Sequence, residues 1–289
     1  MQIKSLSAII SLALQEDNAY HDLTSDFTIN EQQENKFSIV ARQDMILSGI
    51  NVLQQTFLQL KQNSKFSQSK YQLTINYQDG DFISANQIIA SGIASTKLIL
   101  AGERVILNIL QHLSGIATKT HQLVAKLNNP AIAIFDTRKT IPGLRELQKY
   151  AVRCGGGNNH RFCLASQILI KDNHIASNQS ILQTVKKAQS HNIQNLLLEV
   201  ECDNINQVQE VVLANPDIIM LDNMPIDEIN KCCKIIRNHN KSIIIEVSGS
   251  ISLTNIHLYS SLDINRISIG SITHSVSSID IGLDFFILQ

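Results

Sequence analysis

The stretch Ala131-Ile132-Ala133-Ile134-Phe135-Asp136-Thr137-Arg138-Lys139 decides the fold. An apolar run of strand length breaks abruptly into an acid, a hydroxyl and two cations. The same figure recurs downstream. Ile168–Ile170 runs into Lys171-Asp172, Leu196–Val200 into Glu201, and Ile218–Leu221 into Asp222-Asn223. Ile243–Val247 then leads into Ser248-Gly249, and Ile267–Ile269 into Gly270-Ser271. Helix-like segments such as Ser180–Ser190, Ile205–Ala214 and Ile226–Asn238 lie between them. Apolar strands alternating with helices read as a parallel sheet covered on both faces. An open doubly wound sheet uses only the strand ends at its switch point, whereas a β/α barrel gathers all of them at one mouth. Six polar or glycine strand ends in succession predict a barrel.

Upstream the texture differs. After Lys4, Leu6–Leu14 is apolar enough to suggest a signal peptide faintly. It runs straight into Gln15-Glu16-Asp17 with no small-residue cleavage site, so it reads as an amphipathic helix. Phe37–Ala41 and Tyr71–Asn76 alternate as strands, and Gln78-Asp79-Gly80 reads as a turn. A long helix is predicted over Thr96–Leu127, with Leu98, Val105, Ile109 and Leu113 placing apolar surface on more than one face. Arg104 interrupts that surface. It either pairs with Glu103, although adjacent residues do not face each other on a helix, or it serves the site.

The chain has 289 residues, 44% hydrophobic and 17% charged, enough apolar material for a substantial core. Its net charge of −1 argues against general nucleic-acid binding. The charge is unevenly spread. From Thr137 to His174, seven Lys and Arg face two acids, a balance of +5 that leaves −6 for the rest. Five cysteines with no C-x-x-C spacing argue against a zinc site and for reduced thiols in a cytoplasmic protein. No stretch approaches the length of a membrane span.

The strand ends carry the candidate chemistry. Ser248-Gly249 and Gly270-Ser271 follow the last two strands, where β/α barrels often bind phosphate through backbone N–H groups. Glu201 and Asp222 end neighbouring strands. Two carboxylates there suit Mg²⁺, directly or through water, or general acid–base work, or are simply solvated strand ends. Arg145, Lys149 and Arg153 recur every four residues as a basic stripe, read as a solvated helix face. Arg138, Lys139, His160 and Arg161 lie instead on loops beside the strand ends, with the Gly155-Gly156-Gly157 run between them. Together with Lys171 they would repel one another unless a polyanion filled the mouth, so multiply charged substrates are expected.

These residues resemble the quinolinate phosphoribosyltransferase family. The resemblance runs through Thr137-Arg138-Lys139-Thr140-x-Pro142-Gly143-Leu144-Arg145, Lys149-Tyr150-Ala151-Val152-Arg153, Gly155–Arg161 and Lys171-Asp172-Asn173-His174. It continues in Glu199-Val200-Glu201, Leu221-Asp222-Asn223, Glu246-Val247-Ser248-Gly249 and Thr273-His274-Ser275. Ala101-Gly102-Glu103-Arg104, Glu16-Asp17 and Asp22-Leu23-Thr24-Ser25 extend it to almost the whole chain. Ser166 departs from it, standing where the family often has an acid.

The resemblance implies an N-terminal α/β sandwich, residues 1–115 with 275–289, and an incomplete parallel β/α barrel, residues 116–274. The C-terminal tail returns to the sandwich. It implies transfer of the phosphoribosyl group of 5-phosphoribosyl 1-diphosphate to quinolinate with decarboxylation. Arg104, Thr137, Arg138, Lys139, His160, Arg161 and Lys171 would bind the substrates, with Lys139 and Lys171 bridging them. Glu201 and Asp222 would serve the donor's ribose and its Mg²⁺-bound pyrophosphate, and Ser248, Gly249, Gly270 and Ser271 the 5-phosphate. Arg104 would cross from the partner subunit of a homodimer. Three rival readings share the scaffold: a paralogous pyrophosphorylase-like protein linked to molybdenum transport, a Schiff-base aldolase using Lys171, and a non-catalytic anion binder.

Overall fold

A computed structural model describes residues 5–178 and 180–286. Lys4 and the last three residues of the expected C-terminal tail lie outside them. The chain forms two compact units. The first comprises the chain up to His121, Thr140–Gly156 and the segment from Thr273 onward; the second comprises Gln122–Lys139 and Gly157–Ile272.

The first unit is built on an antiparallel sheet. Its strands are β1 (Glu34–Ala41), β2 (Met45–Ile46), β3 (Tyr71–Ile75), β4 (Phe82–Ile83) and β5 (Ile88–Ser95). β1, β3 and β5 join the C-terminal strand β12 (Ile281–Phe286) in the order β12-β1-β5-β3, and β2 pairs with β4. The tail therefore returns to this sheet, with Ile39 opposite Leu283.

The helices of this unit are α1 (Leu6–Glu16), α2 (Leu23–Thr28), α3 (Val52–Leu60), most of α4 (Thr96–Leu127) and α5 (Arg145–Cys154). α2 starts at Asp22, whose side chain accepts from the Ser25 N–H as an N-cap. α4 buries Leu98, Ile99, Val105, Ile106, Leu107, Leu110 and Leu113, spread over more than one face, as its pattern predicts.

Thr140–Gly156, placed with the barrel on sequence grounds, groups with the first unit. Tyr150 Oη donates to Asp79 at 2.6 Å, and Gln148 Nε2 bonds the Thr273 carbonyl at 3.1 Å and lies 2.8 Å from His112 Nε2. These contacts also correct the basic stripe. Lys149 is 1% exposed rather than solvated, because α5 is covered on that side. Gly155 caps the C-terminus of α5, and Gly156 follows at φ +87°, a left-handed backbone suited to glycine.

The second unit is the barrel. Its strands are β6 (Ala133–Phe135), β7 (Ile168–Ile170), β8 (Leu198–Cys202), β9 (Ile218–Asp222), β10 (Ile244–Ser248) and β11 (Arg266–Ser268). Its helices are α6 (Asp172–Ala176), α7 (Ile181–His191), α8 (Ile205–Val211) and α9 (Ile226–His239); α10 (Ser271–His274) follows β11. The sheet order is β6-β11-β10-β9-β8-β7, all parallel. The strands run in chain order from β7 to β11, and the first strand then joins the last. A doubly wound sheet reverses direction at a switch point; this order instead wraps round, and among the described residues β6 and β7 are left unpaired with each other. It is an incomplete barrel.

Candidate active site

Register and the period-two alternation of strands fix what faces the barrel interior. Leu198, Val200 and Cys202 point one way on β8, and Glu199 and Glu201 the other. Parallel pairing carries that inner face across the sheet. Leu169 aligns with Glu199, Met220 with Glu201, Glu246 with Met220, Ser248 with Asp222, Arg266 with Glu246, and Ser268 with Ser248. Side-chain contacts and the cavity lining sort this face into two layers. The lower holds Glu199, Glu246 and Arg266, which touch one another; the upper holds Glu201, Asp222, Ser248 and Ser268, which line the cavity, with Lys171 and Thr137 just beyond β7 and β6.

The upper layer opens into a cavity of about 570 Å³. Arg138, Lys139, Arg161 and Lys171 line it with Glu201 and Asp222; Thr137, His160 and Ser248 complete the expected residues that it gathers. Each cation has a local cause. Thr137 Oγ1 accepts from the Lys139 N–H at 3.0 Å, curling the loop after β6. Asn158 pairs with β6, its N–H donating to Ile134 O at 2.7 Å. That pairing brings the segment after the glycine run alongside β6. There the fully buried Asp136 accepts from the His160 N–H at 2.9 Å and from Asn159 Nδ2 at 2.7 Å. Ser166, the departure from the family pattern, closes its own loop by donating to Cys163 O at 3.0 Å.

Lys171 Nζ donates to Glu201 Oε2 at 2.5 Å. Burial pushes the Glu201 carboxyl above the usual range; Lys171 pulls it back, while Asp222 and Asp172 push it further up. Burial, followed by the charge of Arg138, lowers Arg161 from the ordinary arginine range. Ligand oxygens of Glu201, Asp203 and Asp222 all lie within 4.8 Å of one another. Three hard oxygen donors beside an open cavity fit a Mg²⁺ that keeps waters for a phosphate ligand. Asp203 was not among the expected residues; it lies two residues beyond Glu201, on the same face of the β8 end.

Some expected residues sit apart from this lining. Gly249 follows β10 at φ +101°, and a Cβ there would come within 2.1 Å of Asn223 Oδ1. It locks the turns after β9 and β10 together, with the Asn223 N–H donating to Ser248 O at 3.0 Å. Gly270 lies two residues beyond β11 and Ser271 begins α10; neither lines the cavity. Arg104 belongs to the first unit, where it lines a separate hollow of about 280 Å³ with Glu16, Asp17 and Asn108. It does reach Glu103, at 3.7 Å, but its side chain is 66% exposed, so the pair contributes little.

Missed by the sequence reading were the lower layer and the apolar wall of the cavity, Leu169 and Met220. The signal for Glu199 and Glu246 was present: acids inside strands otherwise apolar on both faces.

Comparison with known proteins agrees with this geometry. Residues 22–114 match the quinolinate phosphoribosyl transferase N-terminal domain and residues 116–284 its C-terminal domain. The chain is 41% identical over 269 residues to the probable nicotinate-nucleotide pyrophosphorylase [carboxylating] of Bacillus subtilis, covering 93% of this chain and 89% of that protein. It is 34% identical to the Mycobacterium leprae nicotinate-nucleotide pyrophosphorylase [carboxylating], with 95% of each chain covered. The crystal structure of nicotinate-nucleotide pyrophosphorylase from Ehrlichia chaffeensis superimposes with a TM-score of 0.88 at 40% identity, covering 97% of this chain and 98% of that one. This chain belongs to the quinolinate phosphoribosyltransferase family.

Proposed function

We propose that this protein transfers the phosphoribosyl group of 5-phosphoribosyl 1-diphosphate to the ring nitrogen of quinolinate, giving nicotinate mononucleotide, pyrophosphate and carbon dioxide. The observation that carries the reading is the convergence of Arg138, Lys139, Arg161 and Lys171 with two strand-end acids in one cavity of a chain from this family.

The chemistry asks for positioning and charge neutralisation rather than a strong base, because the pyridine nitrogen attacks with its own lone pair. The C1–O bond of the donor breaks as the N–C1 bond forms, and the bonding pair leaves with pyrophosphate. Arg138 and Arg161 hold the two carboxylates. Lys139 and Lys171 lie between the substrates, holding the aromatic acid on one side and the departing diphosphate on the other. Ser248, with the turns at Gly249 and Gly270-Ser271, receives the 5-phosphate. Once the ring nitrogen is cationic it stabilises the electron pair left on the adjacent carbon, so that carboxylate departs as carbon dioxide and a proton takes its place.

Glu201 and Asp222, with Asp203 beside them, would hold Mg²⁺. When bound, it neutralises charge on the diphosphate. The Lys171–Glu201 hydrogen bond speaks against the Schiff-base alternative, which needs the amine lone pair free.

The reading extends to a cytoplasmic homodimer in which the exposed Arg104 enters the partner's cavity. Mixing inactive Arg104→Ala and Lys139→Ala proteins should then restore about a quarter of wild-type activity on random subunit exchange, since one site in each mixed dimer is intact. No restoration would contradict the crossing.

The reading as a whole is tested by incubating the protein with quinolinate, the phosphoribosyl donor and Mg²⁺. Pyrophosphate release that requires all three supports it. Quinolinate binding without release would leave only an anion-binding protein.

A further inference from the structure

Below the cavity lies a closed polar layer whose residues have no role in the reaction as written above. Glu199 on β8 and Glu246 on β10 are fully buried, and His160 is 8% exposed. The Arg266 guanidinium bonds Glu246 through Nε, approaches Glu199 Oε2 at 3.4 Å, and stacks over the Phe135 ring at 4.9 Å. Gln167 Nε2 donates to Glu199 Oε2 at 2.6 Å. His160 Nε2 lies 3.1 Å from that same oxygen and 3.6 Å from Glu246 Oε1. Buried ion clusters of this kind contribute little net stability, and apolar replacements often fold as well or better. A purpose other than stability is therefore indicated.

His160 shows what that purpose is. The Arg161 N–H donates to His160 Nδ1 at 2.7 Å, so Nδ1 holds a lone pair, and the other ring nitrogen, Nε2, sits 3.1 Å from Glu199 Oε2. Both ring nitrogens are thereby turned into the protein. The guanidinium of Arg161 is tied to the same group, because its Nη1 donates to the Gln167 carbonyl at 3.2 Å. Arg161 is thus held at its backbone by His160 and at its head by Gln167, and one oxygen of Glu199 holds both of those residues.

We propose that Glu199 is a positioning residue for the anion pocket: braced by Glu246 and Arg266, it fixes His160 and Gln167 so that Arg161 presents its guanidinium to a substrate carboxylate. His160 then acts through Arg161 rather than as a direct ligand. The identity of that substrate rests on the function proposed above; the arrangement of Arg161 does not.

Steady-state kinetics of E199Q, R161A and the double variant test this. E199Q should raise KM for quinolinate about tenfold while kcat and KM for the phosphoribosyl donor stay within about twofold, the split expected when binding common to ground and transition states is lost. In the R161A background the same substitution should add nothing, since the two act as one unit. Equal losses for both substrates, or effects that multiply in the double variant, would overturn the proposal.

Should E199Q fail to fold by circular dichroism, E246Q keeps an acceptor for Arg266 and is read in the same way, with a quinolinate-selective shift of about threefold. No selective shift in E246Q is equally fatal. Wild-type protein without pyrophosphate release contradicts the function and this proposal with it. Wild-type turnover alongside an unselective E199Q contradicts the positioning role alone.

Discussion

The two interior layers of the barrel come from the same strands, two residues apart, yet they handle charge in opposite ways. Below, Glu199 and Glu246 are closed off and draw on Arg266 for opposite charge. Above, Glu201 and Asp222 face a cavity in which Arg138, Lys139, Arg161 and Lys171 outnumber them. In the lower layer burial dominates. It pushes Glu246 up to about 7, helped by the charge of Glu199. Burial would raise Glu199 too, but the contact with His160 and the charge of Arg266 outweigh it and hold that carboxyl low. In the upper layer Lys171 and Glu201 form a close pair, and four cations line the cavity against two acids. The contrast teaches that alternation along a strand assigns a face, while depth in the barrel assigns the task.

That contrast breaks most sharply if an upper-layer cation is removed. Lys139→Ala should lower kcat/KM about 100-fold, the loss of a charge-assisted contact to a polyanion worth about 2–3 kcal/mol. Initial rates with either substrate varied would show it, and unchanged rates would remove Lys139 from the mechanism.

Lys171→Ala probes the pairing within the upper layer. Lys171 lowers the Glu201 carboxyl, so its loss leaves burial, Asp222 and Asp172 to raise that carboxyl further. A reaction needing ionised Glu201 then fails at a higher pH on the acid side. The acid limb of the pH–rate profile should move upward; a limb that stays in place would separate Glu201 from catalysis.

Gly249→Ala tests the turns that close the upper layer. A side chain at φ +101°, aimed within 2.1 Å of Asn223, should cost about 1–3 kcal/mol, seen as a lowered Tm and a raised KM for the phosphoribosyl donor.

The smallest effect belongs to the lower layer. A carboxyl raised in the folded state favours folding while protonated, so the stability Glu246 lends is present below its unfolded pKa, near 4.5, and lost as pH rises through about 7. E246Q does not titrate. Its Tm should gain on that of wild type between pH 5 and pH 8, and a constant difference would contradict the raised carboxyl.

Much of this was legible in the chain itself. Ile168–Ile170 and the start of Ile218–Leu221 coincide with strand bounds, and the other barrel strands lie within about two residues of the expected ones, because apolar runs bounded by polar residues mark strands well. Arg138, Lys139, Arg161 and Lys171 gather as their loop positions suggested. Lys149 did not behave as expected, since helical spacing tells which residues share a face but not which element covers it. Asp136 was read only as a strand end, yet it is fully buried and anchors His160 and Asn159. The lower layer escaped for a related reason. Arg266 stands alone before a short apolar run, and its partners Glu199 and Glu246 lie 67 and 20 positions away, brought to it only by the folding of β8 and β10 into the same sheet.

The most direct test of the central claim is stoichiometric. Quinolinate carrying a carbon label in its 2-carboxylate is incubated with 5-phosphoribosyl 1-diphosphate, Mg²⁺ and the protein, and labelled carbon dioxide and pyrophosphate are measured together. If the cavity holds quinolinate's carboxylates against the donor's diphosphate as proposed, the two products are released in equal amounts, with none of either when one substrate is withheld. Pyrophosphate without labelled carbon dioxide, or neither product from folded protein, would contradict it.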